Sequence, residues 1–264
     1  MQKIRLGNME LDALFALEES EAGVLTLSDL ARTMHLSQEQ AWKLASRLVR
    51  KKRLIRLKRG IYLFAPMKAG KKGIWTEDAF ATVPKLMEGK EYYVSFWSAL
   101  NHYGLTEQIP VTVQVVTTSR LRTLEALQTR FEFTKVRRLG EWRDEMIGEK
   151  AVKVATIEQL VLDCLSLPEK SGGVKEASKA LWTARKRLDW KKLEAIASGS
   201  SDATRRRLGY LSELLGIHKL KPGEIVGWRW LDPSAPKRAL NRSVKWGLLL
   251  NVPEKELLEW RDLR

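Results

Sequence analysis

Between residues 26 and 64 the apolar positions change from helical to strand spacing, and that change organises the chain. Leu25 to Met34 reads as a short helix, with Thr26 at the N-cap and Asp29 three residues on, both able to satisfy orphan N–H groups of the first turn. His35-Leu36 breaks it, with His35 expected in a left-handed conformation. Ser37 opens a second helix with Gln40 at the capping-box position. Ala41, Leu44, Ala45 and Leu48 recur there at three- and four-residue spacing and predict a core stripe. Trp42, Lys43, Ser46, Arg47 and Arg50 fall on the opposite face, with Gln38, Glu39 and Gln40 at the N-terminal tip. Leu54 to Lys58 then alternates, Gly60 permits a tight turn, and Ile61 to Phe64 returns as a strand. The pattern is a winged helix-turn-helix whose wing tip is Lys58-Arg59-Gly60.

On either side the pattern is less regular. Leu6 to Glu19 carries Met9, Leu11, Leu14, Phe15 and Leu17 at roughly helical spacing and predicts a helix packed behind the recognition unit. Pro66 to Gly73, rich in Gly and Lys, reads as a linker. Thr76 to Glu88 predicts a helix interrupted near Pro84, and Tyr92 to Val94 leads into a helix through Phe96, Leu100 and Tyr103 that Gly104 stops. Val111 to Thr118 is a buried strand, and Phe131 to Val136 and Ala151 to Ala155 are further strands. Four helices follow over Thr156–Leu167, Lys175–Arg187, Trp190–Ala197 and Asp202–Leu215. Trp228 to Leu231 and Val244 to Leu250 form a closing pair of strands, and Pro253 to Trp260 a short final helix. The expected fold class is α+β: an N-terminal winged helix-turn-helix over residues 1–70, then a larger mixed α/β domain, rich in helices, over 71–264.

Charge gives this framework a direction. The net charge is +15 over 264 residues, but residues 1–76 hold 15 basic against 7 acidic groups, more than twice the charge density of the rest. No Asp or Glu occurs from Gln40 to Thr76. A polyanion contact therefore belongs to the first domain. In a helix-turn-helix the tip of the second helix meets base edges while its flanks and the wing meet phosphates. The expected contacts to double-stranded DNA are Gln38, Gln40, Trp42, Lys43, Ser46, Arg47, Arg50, Lys51, Arg56, Lys58 and Arg59. DNA is favoured over RNA because no aromatic stacking motif of the RNA-binding modules occurs. The single cysteine, Cys164, leaves neither a disulfide framework nor a cysteine-based zinc site. No stretch is apolar over a bilayer's width, which places the protein in the cytoplasm.

Two rival functions compete. Asp78 with Glu88-Gly89-Lys90 loosely matches the carboxylate and Glu-x-Lys spacing of Mg²⁺-dependent nucleases acting on DNA. The pattern is short, however, and Gly89 suggests a turn. Glu158 and Asp163 read as ordinary surface groups, and His35, His102 and His218 are too scattered to hold a metal. A Gly-rich phosphate loop is missing, so no cofactor is expected. The other rival is a DNA-tethered scaffold whose C-terminal half binds protein. Nine of the ten Trp (Trp42 is the other) lie beyond the winged helix; most should be core, and any exposed one is an anchor candidate.

One stretch resembles a known family. Tyr93-Val94-Ser95, Ser98-Ala99-Leu100 and Tyr103-Gly104-Leu105-Thr106 look like the signature of the AbiEi-type antitoxins, winged-helix regulators of type IV toxin–antitoxin systems. Arg59-Gly60-Ile61-Tyr62, the apolar strand after Pro110 and Arg207-Leu208-Gly209-Tyr210-Leu211 are similar too. Tyr103 stands where many relatives carry His. The resemblance implies repression of the protein's own operon at inverted repeats, and antagonism of a co-encoded nucleotidyltransferase toxin without a stable complex. From the residues themselves, Tyr93, Ser95 and Ser98 hold a strand-to-helix corner, with Ser95 capping the helix. A second basic set comprises Arg185, Lys186, Arg187, Lys191, Lys192, Arg205, Arg206 and Arg207. These interrupt helices of a packed bundle and so should crowd onto solvent-facing surfaces, Arg207 excepted as structural. The set serves solubility, an extended DNA footprint or a contact to the RNA that such a toxin would target.

Overall fold

The computed structural model describes residues 5–20, 23–67, 79–126 and 129–261. The chain divides into two compact units. The first comprises residues up to Glu91 with Ser119–Phe133 and Met146–Val152, and the second comprises Tyr92–Thr118, Thr134–Glu145 and Lys153 onward.

The first unit opens with α1 (Asn8–Glu19), β1 (Val24–Thr26), α2 (Leu27–Thr33) and α3 (Gln38–Arg50). The wing strands β2 (Leu54–Lys58) and β3 (Ile61–Phe64) follow, and β3 pairs antiparallel with both β1 and β2. Both capping boxes form: Asp29 N–H donates to Thr26 Oγ1 and Gln40 N–H to Ser37 Oγ, with the return bonds from the Thr26 and Ser37 amides. His35 takes φ 49° between them, and Leu36 N–H closes the turn on Ala31 O. The core joins Ala13, Leu14 and Leu17 to Leu25, Leu30, Leu44, Ala45, Leu48, Leu54, Tyr62 and Phe64. The buried stripe of α1 is therefore Glu10, Ala13, Leu14 and Leu17, while Met9 and Phe15, expected on it, lie on the exposed side. Beyond the wing, Phe80–Thr82 is a 3-10 turn and α4 (Val83–Leu86) a single turn with Pro84 in its first turn, so the expected helix is short. Residues 68–78, which hold most of the expected linker, Asp78 and Trp75, lie outside the described residues.

The second sequence region supplies β4 (Tyr92–Val94), α5 (Phe96–His102), β5 (Thr112–Thr117), β6 (Leu124–Ala126), β7 (Thr129–Lys135), β8 (Trp142–Ile147) and β9 (Lys150–Ala155). They form a six-stranded sheet in the order β6-β7-β5-β4-β9-β8, with β4 antiparallel to β5 and parallel to β9. Helices α6 (Ile157–Ser166), α7 (Gly173–Ala184), α8 (Trp190–Ser198) and α9 (Asp202–Leu215) follow. Ser201 caps α9, and Gly216, at φ 66°, ends it. A small closing sheet pairs β10 (Arg229–Trp230) parallel to β12 (Leu248–Leu250), with β11 (Asn241–Ser243) antiparallel on the other side of β12, before α10 (Glu254–Leu258). The result is a mixed α/β fold led by a winged helix. No described helix is long and apolar enough to cross a membrane.

Candidate nucleic-acid interface

The exposed face of α3 carries the expected groups, but most already have partners. Gln38 Nε2 donates to Ser28 Oγ at 3.3 Å, and Gln40 Oε1 accepts from Ser37 N–H at 2.9 Å as part of the cap. Lys43 pairs with Glu39 at 2.6 Å. Arg47 lies 3.8 Å from Glu10 Oε1, and its Nη2 donates to Met9 Sδ at 3.6 Å. Lys51 donates to the Arg5 carbonyl and to Glu10. Burial pushes the Glu10 carboxyl up, but Lys51, the Gly7 N–H and Arg47 together hold it below the usual carboxylate range. Glu10 thus ties α1 to the C-terminal half of α3. The sequence does not mark Glu10, because a buried acid on an apolar stripe looks like a break in the pattern.

The wing divides its cations. Arg56 and Arg59 are exposed, whereas Lys58 turns back and donates to Leu86 O at 2.6 Å. Burial, aided by the Lys90 charge, lowers the Lys58 pKa. Arg53 of the same basic run is buried, and its Nη1 reaches Pro66 O. Arg50, Lys52, Arg56 and Arg59 are therefore exposed cations of α3, the turn after it and the wing, alongside the exposed Lys43, Ser46 and Arg47 on the α3 face. Glu88, Gly89 and Lys90 follow α4, with Gly89 at φ 72°, and no cluster of three metal-ligating side chains occurs among the described residues.

In the second unit the corner after β4 is built from polar groups. Ser95 stands at the N-cap of α5, but its side chain does not cap: Oγ donates to Asp163 Oδ2 at 2.6 Å. Tyr93 Oη and Gln159 Nε2 donate to Asp163 Oδ1 at 3.4 and 2.7 Å. Burial pushes the Asp163 carboxyl up to about 6, although the Ser95, Gln159 and Tyr93 donors draw it back. Asp163 and the buried Glu158, whose Oε1 accepts Asp189 N–H, are thus structural rather than ordinary surface groups. Ser98 Oγ donates to Thr112 O and accepts from Gln114 N–H, fastening α5 to β5. Phe96 holds φ 52° at this corner, a left-handed conformation that a bulky side chain rarely adopts.

Comparison with known proteins meets this geometry at both ends. A family model described as a transcriptional regulator, AbiEi antitoxin, matches residues 12–65, and one for the AbiEi antitoxin C-terminal domain matches 93–214. The chain belongs to the AbiEi antitoxin family. The family is one of regulators and antitoxins, and the first match spans the winged helix while the second begins at Tyr93. The crystal structure of the RV2827C protein from Mycobacterium tuberculosis is similar to it, with a TM-score of 0.68 at 14% identity, over 98% of this chain and 96% of that one. At that identity the likeness establishes the fold. A search of curated proteins found no match.

The second basic set of this AbiEi antitoxin does not form one surface. Lys186, Arg187, Lys191 and Arg205 are exposed. Arg185 stacks on Trp182 at 3.8 Å, and Lys192 pairs with Glu141 at 2.7 Å. Arg206, expected in solvent, is buried: Nε donates to Asp202 Oδ1 at 2.8 Å, and Nη1 and Nη2 donate to the carbonyls of Gly227, Gly247 and Val226. Arg207 is buried likewise on Leu165 O and Trp230 O, the structural position expected of it. Of the tryptophans beyond the winged helix that are described, Trp246 alone is fully buried. Trp142 and Trp228 are exposed and the others half-buried, so the expectation that most are core does not hold.

Proposed function

We propose that this AbiEi antitoxin is a sequence-specific repressor that binds double-stranded operator DNA at inverted repeats and autoregulates its operon. The same chain opposes a co-encoded nucleotidyltransferase toxin without forming a stable complex with it. In this reading residues 1–70 carry the DNA contact and 71–264 the antitoxin function. The observation that carries it is the doubly capped helix-turn-helix, whose α3 face and wing present Trp42, Lys43, Ser46, Arg47, Arg50, Arg56 and Arg59 with Gln38 and Gln40 at the tip. Phosphates take the flanking and wing cations, and base edges take the centre of α3. Lys51 and Lys58, held by Glu10 and Leu86 O, add charge nearby.

The test is a gel shift of the full-length protein on duplex from upstream of its own gene against shuffled duplex, with and without Mg²⁺. The expected result is a specific shift with intact DNA and a logarithmic salt slope of about 0.9 per phosphate contacted. Equal binding to both duplexes at every salt concentration, or cleavage with Mg²⁺, overturns the assignment.

A further inference from the structure

On the exposed side of α3 an open cleft of about 450 Å³ is lined by Met9, Gln40, Trp42, Lys43, Ser46 and Arg47. Two large apolar side chains form its walls: Met9 is 45% and Trp42 56% exposed. A single exposed apolar group is ordinary, but two lining one cleft indicate a binding surface. Three of its four polar lining groups are already engaged, Gln40 in its cap, Lys43 on Glu39 and Arg47 on Glu10 and Met9, and the fourth is the small hydroxyl of Ser46. What the cleft offers a ligand without breaking a bond of its own is therefore chiefly apolar surface.

The surroundings select the occupant. Every ionisable side chain from Arg47 to Arg59 is basic, and Arg50 and Arg56 stand exposed beyond the cleft. An apolar partner protein has no use for such a rim, whereas duplex DNA needs it. In the major groove the one apolar group on a base edge is the 5-methyl of thymine, which side chains read by packing. We infer that the Met9–Trp42 cleft is a thymine-methyl pocket, so that α3 reads at least one T·A pair by apolar contact rather than by an Arg or Gln bond. This rests on the reading of α3 as the DNA-facing helix.

The experiment selects binding duplexes from a random library with the full-length protein. In the enriched site each thymine is then replaced by deoxyuridine, which removes only the methyl group. One position per half-site should weaken binding about 3- to 10-fold, the range that burying a methyl supplies, and Trp42→Ala should erase that difference. A selected site with no thymine-to-uridine penalty, or an unchanged penalty in Trp42→Ala, overturns the pocket and leaves DNA binding standing. Failure to enrich any duplex at low salt overturns DNA binding itself. If sedimentation shows a dimer that Trp42→Ala converts to monomer, the cleft is an interface between copies and the inference falls.

Discussion

Arg206→Met tests whether a buried guanidinium clasps the C-terminal part of the second unit. The side chain is about 5% exposed and satisfies Asp202 together with the carbonyls of residues 226, 227 and 247. Met preserves the packed stem and removes all four bonds. Breaking a buried ion pair costs about 3–5 kcal/mol when a charge is left stranded. Here the loss should be smaller. Asp202 is one-third exposed and keeps Arg229 at 3.5 Å, Gly247 O keeps the Arg229 N–H, and Val226 and Gly227 lie where water can replace the donors. The expected destabilisation is about 2–4 kcal/mol, or roughly 5–15 °C in melting temperature for a unit of this size. Arg205→Met is the control: Arg205 is exposed and donates to Ser198 O and Ser200 O, so it should cost about 0–1 kcal/mol. Urea unfolding of the full-length variants, followed by tryptophan fluorescence and circular dichroism, measures both. If Arg206→Met stays within 1 kcal/mol of the parent, or matches Arg205→Met, the clasp does not exist.

Three further outcomes are expected. Asp163 holds its proton more tightly when folded than when unfolded, so its contribution makes stability fall as pH rises from about 4 to 6 and stay level above. Asp163→Asn should remove that component and stabilise the protein by about 1–2 kcal/mol at pH 8; an unchanged pH–stability slope refutes it. Glu10 acts in the opposite sense: its folded pKa is depressed, so its stabilisation is present above the usual carboxylate range and lost as pH falls through the folded value. Glu10→Gln should cost about 1–3 kcal/mol at pH 7 and less at pH 3, readable by denaturation at the two pH values. Gly209→Ala would place a Cβ 2.1 Å from the Trp246 ring, so a substitution that normally favours a helix should cost about 1–3 kcal/mol and alter the near-ultraviolet signal of Trp246.

The elements legible in the sequence were those with local chemistry. Thr26, Ser37 and Gly216 fix helix ends within a few residues, and α9 runs from Asp202 to Leu215 as expected. The strands passed over were β1, β6, β8 and β11. They are short or, like Trp142-Arg143-Asp144-Glu145, mostly exposed and rich in charge, so their conformation comes from a neighbouring strand and not from an apolar pattern. The α3 face on which the expected contact residues stand was legible and the partners of those residues were not. The tethering of Arg47 and Lys51 depends on Glu10, some forty residues away, and that of Arg206 on carbonyls twenty to forty residues later. Burial of a charged side chain is a tertiary fact: only the groups waiting to receive it distinguish Arg206 from Arg205.

Among the described residues, the apolar cluster of the winged-helix core is drawn from residues 6 to 64. During synthesis those residues are added first, and the match to the AbiEi antitoxin C-terminal domain ends about 150 residues after Phe64, at residue 214. At about 5–20 residues per second, roughly 8–30 s separate the two. The part that the proposal assigns to DNA can thus close its core and reach the promoter while the part assigned to the toxin is still being translated. On the proposed reading, each chain therefore acquires its DNA-facing part before its antitoxin part.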